Sequence, residues 1–314
     1  MAETTATRRR GLGVGMDLQW GAPVGFDYAT AAPSTRVAKF IERNVSDYAY
    51  LFFSFQPRGL ERLEARAYAD GYERLRELLP AAMPMALHHT VLNMGSARSY
   101  DRSAIFDFTN ELCEEFDLQW IVEDIGIWSL AGLPMPYPLP PYLTADALDQ
   151  VVRNAREVRG ALSRPLHVEF PGFTDGYCLV IGSLDAYDYF AELAERADIY
   201  VTLDVGHLLS WRWLRGFRGE DLYGDLDRLP LERCRELHLS GAAVHRGRFI
   251  DLHHGILLEE QLELCRILLR RCPNLHAVTY EDPRFTSDGS LVPKAVPNYE
   301  RLREMVRAWV TSQN

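Results

Sequence analysis

The segment "YVTLDVGHLLSW", residues 200 to 211, ends a β-branched run in Asp204 and places His207 three residues further on. An acid and an imidazole at that spacing can do two things. Asp204 can cap a helix that happens to carry a histidine. Alternatively, both can ligate a metal ion where a buried strand runs out. The same kind of pairing recurs along the chain. "MALHHTVL" carries His88 and His89, "QWIVEDIGI" Glu123 and Asp124, "PLHVEF" Glu169, and "CRELHLS" His238. "FIDLHHG" carries Asp251 and His253, and "HAVTYED" carries Glu281 and Asp282. Taken singly, each reads as a hydrogen-bonded histidine or a turn-forming acid. Taken together they differ, because buried carboxylates crowded into one volume repel one another and are costly to desolvate unless cations neutralise them. Several acids with four histidines supply what one or more divalent ions need. The set contains no cysteine, which selects for hard or borderline metals such as iron, manganese or zinc. Asp204, His207 and His238 are expected to be the ligands on which turnover depends.

Such a set requires elements that bring it to one mouth. Eight short apolar or β-branched runs alternate with helical patterns: "GLGVGMDL", "YAYLFFSF", "MALHHTVL", "QWIVEDIGI", "PLHVEF", "IYVTLDV", "CRELHLS" and "HAVTYED". Between them, stretches such as "ALDQVVRNAREVRGAL" and "DAYDYFAELAERA" repeat apolar residues at three and four. Repeated βα units with right-handed crossovers close into a single (β/α)8 TIM barrel. An open doubly wound sheet would announce a glycine-rich phosphate turn after its first strand, and "GVGMDLQWG" is a poor one. At the C-terminal mouth of a barrel the strand-end residues face one small volume, which favours the metal reading of Asp204 and His207.

With 314 residues, 47% hydrophobic and 25% charged, the chain can build one large core. Residues 1–10, "MAETTATRRR", have a basic cluster with no apolar run behind it and read as a flexible arm; residues 11–314 read as one domain. A net charge of −10 argues against tracking a nucleic-acid backbone. No run is apolar enough to cross a membrane. The five cysteines are odd in number and lack a C-x-x-C, so no disulfide framework is indicated and a cytoplasmic protein is expected. Two segments read as lids over the mouth: the proline-rich "LAGLPMPYPLPPYLTADAL" and "SWRWLRGFRGEDLYGDLDRLP". In the second, Arg212 and Arg215 offer bidentate partners for a substrate carboxylate and Trp211 a flat apolar wall.

The ordered set His88, Glu169, Asp204 with His207, His238, Asp251 with His253, and Glu281 resembles the xylose-isomerase-like barrels, especially their trinuclear AP-endonuclease branch. On strand four, either Asp124 or Glu123 stands where that branch has a histidine. A closer resemblance is to the multinuclear non-heme iron-dependent oxidative enzymes, the family of the methanobactin-maturation oxidase. It rests on "LHHTVLNMGS", "VEDIGIWSLAG", "LDVGHLL", "ELHLSG" and "FIDLHHG" in that order. The resemblance implies two or three irons cycling between Fe(II) and Fe(III), with dioxygen as co-substrate. It implies metal ligands at His88, Asp124, Glu169, Asp204, His207, His238, Asp251, His253 and Glu281. The implied substrate is an amino acid, a peptide or a related small molecule, with a separate peptide-recruiting protein as a possible partner. A metal-dependent sugar isomerase or epimerase, in which two acids shuttle a proton across the metal, is the alternative, with a phosphodiesterase behind it.

Overall fold

The structure is a computed structural model that describes residues 10–17, 34–54, 69–130, 133–173 and 179–312. The strands in chain order are β1 (Gly11–Asp17), β2 (Leu51–Ser54), β3 (Met85–His88), β4 (Leu118–Asp124), β5 (Ile127–Leu130), β6 (Leu133–Leu139), β7 (Leu166–Glu169), β8 (Tyr200–Asp204), β9 (Cys234–Leu239), β10 (Ala242–His245), β11 (Arg248–Asp251) and β12 (Ala277–Glu281). Eight of them form a closed barrel in the order β1-β12-β9-β8-β7-β4-β3-β2. Every pairing around it is parallel, and β1 closes it by bonding to both β2 and β12. All eight strands expected from sequence are in this barrel. The other four make two hairpins, β5 with β6 and β10 with β11.

Helices α1 (Thr35–Asn44), α2 (Ala69–Leu78), α3 (Ser103–Glu115), α4 (Ala145–Ala161), α5 (Ala186–Ala197), α6 (Val205–Leu214), α7 (Glu259–Arg271) and α8 (Val296–Thr311) follow the strands. α4 shows why they form. Thr144 caps it by accepting from Ala147 N, and Leu148, Val151, Val152, Ala155 and Val158 recur at three and four to make its buried face. Each such Leu or Val removed from water contributes about 1.5–3 kcal/mol before the entropy cost of ordering.

The barrel interior obeys the two-residue period of the strands. Tyr50, Phe52, Ala86, Trp120, Val122 and Ala277 form an inner cluster separate from the helix-facing core. The first strand contributes room instead of side chains. A Cβ on Gly13 would lie 2.2 Å from the Tyr50 ring, and one on Gly15 would lie 2.7 Å from the Phe52 ring. The glycines of "GLGVG" therefore serve barrel packing.

Of the expected arm, residues 1–9 lie outside the described residues. Arg10 is tied to the barrel: its N–H donates to the His276 carbonyl at 2.7 Å, and its guanidinium lies 5.1 Å from the Trp120 ring centroid. Much of the expected proline-rich lid is paired structure, with β6 running antiparallel to β5 from Ile127↔Leu139 to Leu130↔Leu133. The second expected lid begins as α6 and continues through short 3-10 turns at Gly219–Tyr223 and Leu226–Arg228. Among the described residues no helix is long and apolar enough to cross a membrane.

Candidate metal centre

Six barrel strands deliver one buried donor each at their C-terminal ends: His88, Asp124, Glu169, Asp204, His238 and Glu281. Register sets them side by side, Asp124 opposite Glu169 and Asp204 opposite His238. The first turn of α6 adds His207, and the β10–β11 hairpin returns to the mouth to add Asp251 and then His253. Phe52, admitted by Gly15, stacks on both the His88 and His238 rings at 5.0 and 5.1 Å between centroids. The apolar floor beneath the two imidazoles is thus built from β2.

Asp204 caps the helix and keeps an oxygen free beside it. Oδ1 accepts from His207 N at 2.7 Å and caps α6, while Oδ2 is buried without a hydrogen-bond partner. The cap fixes the distance between the acid and the imidazole, so one residue sets two donors.

The donors fall into overlapping groups whose atoms lie within 4.8 Å of one another: His88, Glu169 and His238; Glu169, Asp204, His238 and Glu281; Asp124, Glu169 and His207; His207, Asp251 and His253. A further group joins His253, Glu281 and Asp282. Glu169 belongs to three of them and bridges the cluster. Within it, His238 Nδ1 is 3.0 Å from Glu169 Oε2, His207 Nε2 is 3.1 Å from Asp251 Oδ2, and His253 Nε2 is 3.2 Å from the same oxygen. Yet His207 Nε2, His238 Nδ1, His253 Nε2, Asp204 Oδ2, Asp251 Oδ2 and Glu281 Oε2 make no hydrogen bond. Buried polar atoms rarely go unpaired. Donor atoms this close that do not bond to one another are arranged around shared points, as ligands of common cations are. Nitrogen and carboxylate oxygen without thiolate suit iron, manganese or zinc.

Second contacts decide which imidazole nitrogen faces the cluster. His207 Nδ1 donates to the Phe170 carbonyl at 2.7 Å, which leaves Nε2 as the nitrogen able to ligate. His253 Nδ1 lies 3.1 Å from Asp282 Oδ2, which again turns Nε2 inward.

Burial and mutual charge shift the acids in opposite directions. Desolvation pushes Glu281 up to about 8 and Asp124 up to about 6. Glu169 is just as buried, but the neighbouring His238 and His88 outweigh desolvation and hold it well below the usual carboxylate range. Asp251 is held low in the same way by His253 and His207.

The open choice on strand four is resolved by the pleat. Asp124 faces the donors, with Oδ2 3.5 Å from His88 Nε2. Glu123 turns the other way, and its Oε2 accepts from Leu92 N at 2.8 Å. His89 likewise faces α3, with Nε2 2.8 Å from Thr109 Oγ1. Sequence reasoning also passed over Glu236 and His167, both fully buried inside the barrel one pleat below His238 and Glu169. The signal was present as the i−2 position of each strand-end donor.

The residues expected to clamp a substrate carboxylate are Arg212, Arg215 and Trp211. Arg212 is buried and committed to structure: NH1 pairs with Asp225 at 2.5 Å, NH2 donates to the Asp221 carbonyl at 2.5 Å, and the guanidinium sits 3.6 Å from the Phe217 ring centroid. Trp211 is buried against Phe173 at 4.7 Å between centroids, and the exposed Arg215 places its guanidinium 5.5 Å from the Trp211 ring centroid. Five residues beyond His207, Arg212 is rotated about 140° around the helix from the residue that meets the donors.

A family model of RiPP precursor modification enzymes, MbnB/TglH/ChrH, matches residues 65–292. A UPF0276 protein of Caulobacter vibrioides is 25% identical over 170 residues, covering 54% of this chain and 59% of that protein. The chain thus spans less than two thirds of the length of that relative. Among solved structures, a xylose isomerase-like TIM barrel protein from Mycobacterium smegmatis in complex with magnesium superposes with a TM-score of 0.54 at 13% identity, over 95% of this chain and 97% of that one. D-psicose 3-epimerase with D-tagatose from Clostridium cellulolyticum H10 does so with a TM-score of 0.51 at 10% identity, over 96% and 97%. At these identities the likeness is one of fold.

Proposed function

The chain belongs to the MbnB/TglH/ChrH family of RiPP precursor modification enzymes, and from that premise we propose that its strand-end cluster is a multinuclear non-heme iron centre that uses dioxygen to oxidise an amino acid, a peptide or a related small molecule. The observation that carries the reading is the convergence of buried, unpartnered nitrogen and oxygen atoms at the barrel mouth. Iron, when bound, supplies the one-electron chemistry with dioxygen that no side chain supplies. The chain's own residues hold and orient. His207 and His253 present Nε2 because Phe170 and Asp282 engage Nδ1. Glu169 shares its carboxylate between groups and so sets their spacing. Phe52 keeps water from beneath His88 and His238.

A carboxylate on the substrate was expected from Arg212 and Arg215, and with Arg212 committed elsewhere that requirement drops out of the proposal. A separate peptide-recruiting protein stays in it as the partner that the family resemblance implies. The net charge of −10 supports a substrate other than nucleic acid.

A sugar isomerase or epimerase is the second reading. It is favoured by Glu169 and Glu281 meeting in one group with His238, two acids that could pass a proton across a metal. It leaves His207, Asp251 and His253 without a task. The test is oxygen uptake by protein reconstituted anaerobically with Fe(II) and given candidate peptides. The proposal expects uptake in step with product and none without iron. Undiminished turnover under strict anaerobiosis would instead establish the isomerase.

A further inference from the structure

One pleat below the donors, Glu236 sits on β9 two residues before His238, with no solvent exposure. Three neutral donors grip its carboxylate. Trp120 Nε1 donates to Oε2 at 2.7 Å, while Thr279 Oγ1 and the Tyr50 hydroxyl donate to Oε1 at 2.5 and 3.3 Å. The ion pairs described for it are both with histidines: His238 Nε2 at 3.4 Å from Oε1, and His167 Nδ1 at 3.5 Å from Oε2. A buried carboxylate held only by neutral donors keeps its full charge in a low dielectric, which is costly unless positive charge lies close by.

His238 faces two ways. Nδ1 looks up at Glu169 Oε2, 3.0 Å away, and Glu281 Oε2, 3.8 Å away; Nε2 looks down at Glu236. A neutral imidazole carries its proton on one nitrogen and offers the other to a metal. If Nδ1 is the ligand atom, Nε2 carries the proton; Nε2 is buried and makes no hydrogen bond as it stands, and the Glu236 carboxylate lies 3.4 Å from it. We propose that Glu236 is a positioning residue for the metal centre: its carboxylate receives the Nε2–H of His238 from beneath, selects Nδ1 as the metal donor, and lends negative charge to that ligand. Trp120, Thr279 and Tyr50 keep the carboxylate from turning elsewhere. Outer carboxylates of this kind typically change metal affinity by roughly 10–100-fold. The inference rests on reading the strand-end cluster as a metal centre with His238 as a ligand.

Glu236→Gln is the informative substitution. A glutamine that keeps an oxygen toward Trp120 turns its amide N–H toward Thr279 and His238, where a proton on Nε2 can no longer be accepted. Chelator-stripped protein would be titrated with Co(II), whose visible absorption reports both affinity and ligand set. Thr202→Val, an isosteric change opposite Glu236 on β8, is the control for disturbance at that depth. His238→Ala tests the underlying reading. The expected result is a Co(II) affinity lowered roughly 10–100-fold with an altered spectrum in Glu236→Gln, and neither change in Thr202→Val. Wild-type affinity and spectrum in Glu236→Gln would overturn the proposal, as would an equal loss in both variants. Wild-type binding by His238→Ala would sink the metal-centre reading itself. A measurement without substitution covers a Glu236→Gln protein that does not fold: imidazole ¹⁵N NMR of Zn(II)-loaded wild type. It should show His238 protonated at Nε2, where His207 is protonated at Nδ1. A His238 proton on Nδ1 would refute the proposal.

Discussion

Asp204 and His207 are joined by the 2.7 Å hydrogen bond from His207 N to Asp204 Oδ1, and each keeps one buried side-chain atom, Oδ2 and Nε2, that makes no hydrogen bond. The two uses of Asp204 can be separated. Asparagine keeps the cap and loses the anion, whereas alanine loses both. In chelator-stripped protein, Asp204→Asn should unfold in urea no more easily than wild type, and Asp204→Ala should be less stable by about 1 kcal/mol. Both should lose bound metal by elemental analysis. Retention of the full metal complement by Asp204→Asn would remove Asp204 from the ligand set.

Glu169 enters three donor groups and His253 two, and His253 stands at the rim. Glu169→Gln is therefore expected to reduce metal content more than His253→Ala, which should leave the ions nearest His88 and His238 in place. Metal-to-protein ratios after reconstitution check this ordering. Equal losses would show that the cluster fills as one unit.

Stability without metal should fall as pH rises. Burial alone would lower His88, but the hydrogen bond and charge of Glu169 and the charge of Asp124 raise it to about 9. A histidine raised from its ordinary 6.5 gives stability that is full below that value and lost as pH climbs toward about 9. Burial raises Glu281 and Glu123 from 4.5 to about 8, so the unfolded chain ionises first and stability again falls as pH rises between those values. Chelator-stripped protein should thus melt at a progressively lower temperature from pH 7 to about 9, and metal-loaded protein much less so, since ions bind the deprotonated donors. A flat or rising melting temperature in the stripped protein would contradict the pairing.

Arg212→Ala should lower stability by roughly 1–3 kcal/mol through loss of charged hydrogen bonds, discounted because Asp225 is partly exposed. Metal content should not change. A variant with normal stability that had lost oxygen uptake would restore Arg212 to substrate binding.

All eight barrel strands and nearly the whole donor set were legible in the sequence, because strand-end acids and histidines interrupt the apolar runs at a constant place in six of the eight βα units. Less local features were not. Whether Glu123 or Asp124 faces inward depends on the phase of the pleat, which adjacent acids do not reveal. Glu236 and His167 looked like isolated polar residues inside strands until closure set them beneath the donors. That Arg212 is buried and held by the Asp221 carbonyl and Asp225 of its own segment was not legible, because such pairing within one loop has no sequence signature. The paired β5 and β6 were hidden by prolines, which an edge hairpin tolerates.

The most direct test is anomalous X-ray diffraction at the iron edge on crystals of protein reconstituted anaerobically with Fe(II). The account predicts at least two iron peaks at the barrel mouth, one among His207, Asp251 and His253 and another beside Glu169 and His238. Fully reconstituted crystals with no iron peak among these residues would contradict it.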